Sequence, residues 1–68
     1  MKLIMMKNKN SGCFIAIDKN SGYPYDADNI MRANIFSSVQ EATSYKKHFQ
    51  NLSVVEVTIN HTEQVLVK

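Results

Sequence analysis

Few residues in this chain of 68 have side chains suited to chemistry, and their spacing leaves each without a partner. Cys13 is the single cysteine, and His48 and His61 are the two histidines. Together they do not make a zinc site of ordinary spacing. A nucleophilic thiol at Cys13 needs a base within hydrogen-bond reach. His48 falls on the polar side of a helix while Cys13 belongs to a strand, so no Cys13–His48 pair is expected. Asp18-Lys19-Asn20-Ser21-Gly22 opens like a calcium-binding loop. Its glycine stands fifth rather than sixth, and the twelfth position is Asn29 rather than glutamate, so it is a turn. Asp26 and Asp28 are near one another, but acid–base work needs further groups. Nothing in the spacing of Glu41, Glu56 and Glu63 brings them there. Gly12 and Gly22, the two glycines, do not form a phosphate loop. The expectation is a protein without catalytic residues, cofactor or metal.

Binding chemistry is better represented. Tyr23 and Tyr25 flank Pro24, and Asp26, Asp28 and Arg32 follow closely. Tyrosine offers a large rigid contact area at low entropic cost and is enriched where binding energy concentrates. These five residues are the candidate partner-binding set. The competing role for the tyrosines is to pack on a sheet and complete a thin core. The two aspartates would face a basic patch on a partner. An alternative surface for nucleic acid would use Lys2, Lys7, Lys9, Lys46 and Lys47, with Phe14 as a stacking ring. The formal charge of +2 is small for that purpose, and lysine outnumbers arginine seven to one. Arginine is the preferred reader of bases and phosphates.

Size bounds what these residues can rest on. A domain this short buries only about 60% of the surface its unfolded chain exposes, so its core is thin. Residues 1–68 are expected to form one domain. A lone cysteine excludes an internal disulfide, and within Cys13-Phe14-Ile15-Ala16-Ile17 it reads as a small buried apolar residue. The opening Met1-Lys2-Leu3-Ile4-Met5-Met6-Lys7 is too short in apolar residues for a secretory leader or a membrane span. A cytoplasmic location without membrane contact is the expectation. The sequons Asn51-Leu52-Ser53 and Asn60-His61-Thr62 then carry no meaning.

The elements follow from patterning. Residues 2–7 and 13–17 predict two strands, joined by the turn cluster Asn8-Lys9-Asn10-Ser11-Gly12 as a β-hairpin. A connection over 18–36 is long for a small domain, so it is functional or hides a short element. Ile30 and Met31 fit one turn of helix or a loop. Ser37 with Gln40, or Ser38 with Glu41, fits a capping box. It opens a helix over about Ser38 to Gln50, whose apolar stripe is Val39, Ala42, Tyr45, Phe49 and Leu52. Residues 54–59 are alternating and β-branched, a third strand. Asn60-His61-Thr62 is a turn, and 63–67 a weaker fourth strand.

The expected fold is α+β with element order ββαβ(β). It has a single antiparallel sheet of three to four strands in order 2-1-3(-4). One amphipathic helix packs on one face. The core would hold Leu3, Met5, Ile15, Ile17, Val39, Ala42, Tyr45, Phe49, Val55, Val57 and Ile59. Ile4, Met6, Phe14, Val54 and Leu66 would lie on the opposite face. That face is too apolar to stay wet, so either the long connection or a second copy, as a homodimer, would cover it.

A hairpin followed by Gly22-Tyr23-Pro24, Ala33, Phe36-Ser37-Ser38, Glu41-Ala42, Tyr45 and Val54-Val55-Glu56-Val57 resembles small phage-encoded ββαβ proteins. Some proteins of this build are anti-CRISPR or other anti-defence proteins. The resemblance implies a non-enzymatic inhibitor that binds a host protein complex and blocks it. The positive charge departs from the acidic members that mimic nucleic acid. The further alternatives are a small nucleic-acid-binding module and a structural homo-oligomer.

Overall fold

The computed structural model describes residues 2–58, 60 and 62–68. The chain runs through β1 (Lys2–Asn8), β2 (Ile15–Ile17), β3 (Pro24–Asp26), a 3-10 turn (Ile30–Arg32), α1 (Val39–Lys46), β4 (Leu52–Thr58) and β5 (Glu63–Val67). The class is α+β as expected. The order is βββαββ rather than ββαβ(β), because the long connection contains both a strand and the 3-10 turn.

The main sheet is antiparallel, in order β1-β4-β5. β1 and β4 pair from Lys2↔Thr58 to Asn8↔Leu52. β4 and β5 pair with a register shift between Val54 and Val55. The expected order 2-1-3(-4) fails at β2, which leaves this sheet. The first hairpin does begin: the Asn8 N–H donates to the Cys13 carbonyl at 2.8 Å, and Lys7 bridges Phe14. Residues 34–36 then enter between the two strands. The Asn34 N–H donates to the Ile15 carbonyl at 2.9 Å, and the Phe36 N–H to the Ile4 carbonyl at 2.8 Å. Separated from β1, β2 pairs instead with β3, through Ile15↔Asp26, Ala16↔Tyr25 and Ile17↔Pro24.

The two turn clusters are one structure used twice. Asn8 Oδ1 accepts from the N–H groups of Asn10 and Ser11, at 2.8 and 3.2 Å. Asp18 Oδ1 accepts from those of Asn20 and Ser21, at 2.7 and 3.2 Å. Gly12 and Gly22 donate back to the Asn8 and Asp18 carbonyls, each with φ of 76°. A side chain is disfavoured at that φ, so each turn requires its glycine.

Helix α1 opens on Ser38, whose Oγ accepts the Glu41 N–H at 3.1 Å. Ser37 Oγ donates to Glu41 Oε2 at 2.7 Å. The helix is shorter than the expected span to Gln50. After Lys46 the backbone tightens, with the His48 and Phe49 N–H groups bonded to the Tyr45 and Lys46 carbonyls. Asn51 then takes φ of 64°, which asparagine tolerates better than most residues. Leu52 is therefore not on the helix stripe. It is the first residue of β4, which starts two residues before the expected strand.

Two apolar clusters form, one on each face of the main sheet. Met6, Ile15, Phe36, Ala42, Leu52 and Val54 make the helix-side cluster, with Ile4, Ile17, Tyr45, Phe49, Leu66 and Val67 against it. Met5, Val55 and Val57 make the other, covered by Leu3, Phe14, Ile30 and Ala33. The expected faces are thus exchanged for β1, β4 and β5, whereas Ile15 and Ile17 lie on the helix side and Phe14 on the other, as expected. Ile4, Met6, Val54 and Leu66 lie under the helix, and Leu3, Met5, Val55 and Val57 lie away from it. Both parities of β1 and β4 are apolar, so alternation alone could not say which face the helix takes. Val39 leaves the core and is 37% exposed. Ile59 and His61 fall outside the described residues. The second face is covered from within the chain, by Phe14, Ile30 and Ala33. Among the described residues, no helix is long and apolar enough to cross a membrane.

Candidate functional site

The candidate residues sit on and beside the β2–β3 hairpin, which is fixed to the helix at its turn. Tyr45 Oη donates to the Gly22 carbonyl at 2.7 Å. The Tyr23 ring stands edge-on to Phe49, with centroids 5.8 Å apart and planes at 73°. Phe49 in turn meets Tyr45 at 4.9 Å, and Tyr45 meets Phe36 at 5.9 Å. A row of four rings therefore runs from the buried Phe36 outward to Tyr23. Edge and tilted contacts of this kind add about 0.5–1.5 kcal/mol beyond area burial. Burial holds the Tyr45 phenol above its usual pKa of 10.0, which favours its protonated, donating form.

The row ends in exposed surface. Tyr23 is 64% exposed and Tyr25 53%. Tyr25 lies opposite Ala16 in the β2–β3 ladder. Neither tyrosine is consumed by the core, so the packing role expected for at least one of them is filled by Tyr45 and Phe49.

The other three candidates divide. Asp26 Oδ1 accepts from Asn8 Nδ2 at 3.2 Å, which ties β3 to the first turn. Asp26 thus has an internal task. Asp28 and Arg32 are exposed, with Arg32 on the 3-10 turn and Asn29 capping that turn through its Oδ1. Among the described residues, neither is ion-paired; the ion pairs are Lys2–Glu56 at 3.6 Å and Lys7–Glu63 at 2.8 Å. Tyr25 and Asp26 lie on β3 and Tyr23 just before it, whereas Asp28 and Arg32 belong to the segment that covers the second face.

Sequence patterning missed three surface features. Phe49, assigned to the core, is half-buried and forms the floor against which Tyr23 stands. Its helical spacing marked it as apolar, but nothing local linked it to Tyr23. Met31 and Ile35 are 89% and 56% exposed, beside the Ile30 and Ala33 that point inward. The lysines proposed for nucleic acid are not one patch. Lys7 is held by Glu63 and lies 5.1 Å from the Phe14 ring centroid, and Lys2 is paired with Glu56. Cys13 is half-buried. Among the described residues, no three His, Cys, Asp or Glu side chains converge as metal ligands would. Comparison with protein-family models, curated proteins and solved structures finds no match to this chain.

Proposed function

We propose that this chain is a non-enzymatic, phage-type binding protein whose contact surface centres on Tyr23 and Tyr25. One observation carries the proposal: two tyrosines more than half exposed stand on a hairpin that is anchored to the helix. A side chain already held in its bound position loses little entropy when a partner arrives. Asp28 and Arg32, on the segment over the second face, stand outside this central contact. The partner class is a host protein or protein complex. Resemblance to small phage-encoded inhibitors makes host immune complexes the first to screen.

The test compares the wild-type chain with a Tyr23→Ala/Tyr25→Ala variant as baits in host lysate. A protein retained by the wild type and lost by the variant supports the proposal. Equal recovery of the same protein by both removes the hairpin from the contact. The exposed positions make a folding defect avoidable, and circular dichroism of the variant checks this.

A further inference from the structure

The strands present edges of different kinds. Beside β1, the Phe36 N–H donates to the Ile4 carbonyl and the Asn8 N–H to the Cys13 carbonyl, so that edge is occupied. The edge of β3 is guarded by its sequence. The Asp18 N–H donates to the Tyr23 carbonyl at 3.0 Å and the Ala27 N–H to the Phe14 carbonyl at 2.8 Å. Bonded and non-bonded pairs alternate along an antiparallel ladder, so Pro24 and Asp26 turn their backbone groups outward. Pro24 has no N–H, which removes a donor that a further strand would need.

The outer edge of β5 has no such guard. The Thr58 N–H donates to the Thr62 carbonyl at 2.9 Å, and the register continues through Val57↔Glu63, Glu56↔Gln64 and Val55↔Val65. By the same alternation, Glu63 and Val65 point their N–H and C=O groups away from β4. Among the described residues, no backbone bond joins 63–67 to anything except β4. The strand contains no proline, and Val65 is 51% exposed. Its one charged side chain, Glu63, is ion-paired with Lys7 at 2.8 Å.

We infer that the β5 edge pairs with β5 of a second copy, forming one antiparallel sheet across a two-fold axis. With Gln64 on the axis, Glu63 of each copy lies opposite Val65 of the other. Both outward donors and both outward acceptors of each strand are then used, and the contact closes at two copies. The strand is its own complement in backbone groups. A charged side chain is the usual guard of an edge, but the Glu63 carboxylate is compensated by Lys7 of its own chain. Two copies therefore meet without strong like-charge repulsion. Val65, opposite Val55 on the second face, loses exposed apolar surface in the pairing. The contact is confined to a five-residue strand, below the roughly 1,200 Å² of a standard interface, so the dimer is weak. It uses none of the hairpin residues of the proposed partner contact.

The test is sedimentation equilibrium of the full chain over a dilution series, with amide exchange followed by NMR at both ends of the series. A monomer–dimer equilibrium is expected in the micromolar to millimolar range. Exchange at the Glu63 and Val65 amides should slow as the dimer forms. Val65→Glu sets a second carboxylate opposite Glu63 of the other copy, twice per dimer, and should weaken association roughly tenfold. Val65→Lys sets an opposite charge there and should weaken it less. Position 65 is exposed, and circular dichroism checks that both variants fold. Tyr23→Ala/Tyr25→Ala should associate like the wild type, which separates this inference from the hairpin proposal. Three results overturn it: a monomer at every concentration, which leaves the edge to a strand of another protein; a dimer that Val65→Glu leaves unchanged; or a dimer whose Glu63 and Val65 amides exchange as fast as in the monomer.

Discussion

The two faces of the main sheet carry similar apolar side chains but are closed by different means. On one face the cover is a capped helix that contributes Ala42, Tyr45 and Phe49 to a shared cluster. On the other the cover is a 3-10 turn with no buried residue of its own, which lends only Ile30 and Ala33. That segment is held at its ends by backbone bonds from Ala27 to Phe14, Asn34 to Ile15 and Phe36 to Ile4. Lys7 reaches across to Glu63 at the far strand. The contrast separates two ways to keep water from a sheet: filling the space with side chains, or spanning it with backbone.

Adjacent methionines on β1 test that difference directly. Met6 is fully buried on the helix side and Met5 equally so on the other. Met6→Ala should cost about 4–5 kcal/mol and Met5→Ala about 2–3, because a lightly packed segment can settle into the cavity and a helix cannot. Urea denaturation of the two variants measures this, and a reversed order would show the covering segment to be the more rigid lid. Stability in a domain this small is expected to be marginal, so Met6→Ala should be largely unfolded at room temperature.

Tyr45→Phe probes the bond that ties the hairpin to the helix. Loss of the hydroxyl should cost about 0.5–1.5 kcal/mol. It also has a pH signature. The raised Tyr45 pKa favours the neutral phenol in the folded state, so its contribution is complete below pH 10.0 and is lost as pH rises through the folded value. Alkaline titration of thermal stability should therefore fall less steeply in the variant than in the wild type.

The smallest effect is expected at Glu63→Gln. The Lys7–Glu63 pair is partly exposed, so the substitution should cost about 0.2–1 kcal/mol and the difference should shrink as salt is added. A salt-independent loss would mean that Glu63 acts through packing instead.

Much of this protein was determined locally. The paired turns follow from an Asx-Lys-Asn-Ser-Gly run in each, because the side-chain acceptor and the glycine φ are properties of those residues alone. The Ser38–Glu41 cap and the strand after the helix were legible for the same reason, whereas the packing expected for at least one of Tyr23 and Tyr25 was not what formed. What only the tertiary structure decided was non-local. Residues 34–36 displaced β2 from β1 because Asn34 and Phe36 could supply the bonds that each strand needed. The helix took the Met6 face rather than the Met5 face, a choice that two apolar parities leave open. The pairing of Tyr23 with Phe49 joins residues far apart in sequence. No periodicity within either segment encodes such a contact, because its energy arises only once both segments are packed on the same sheet.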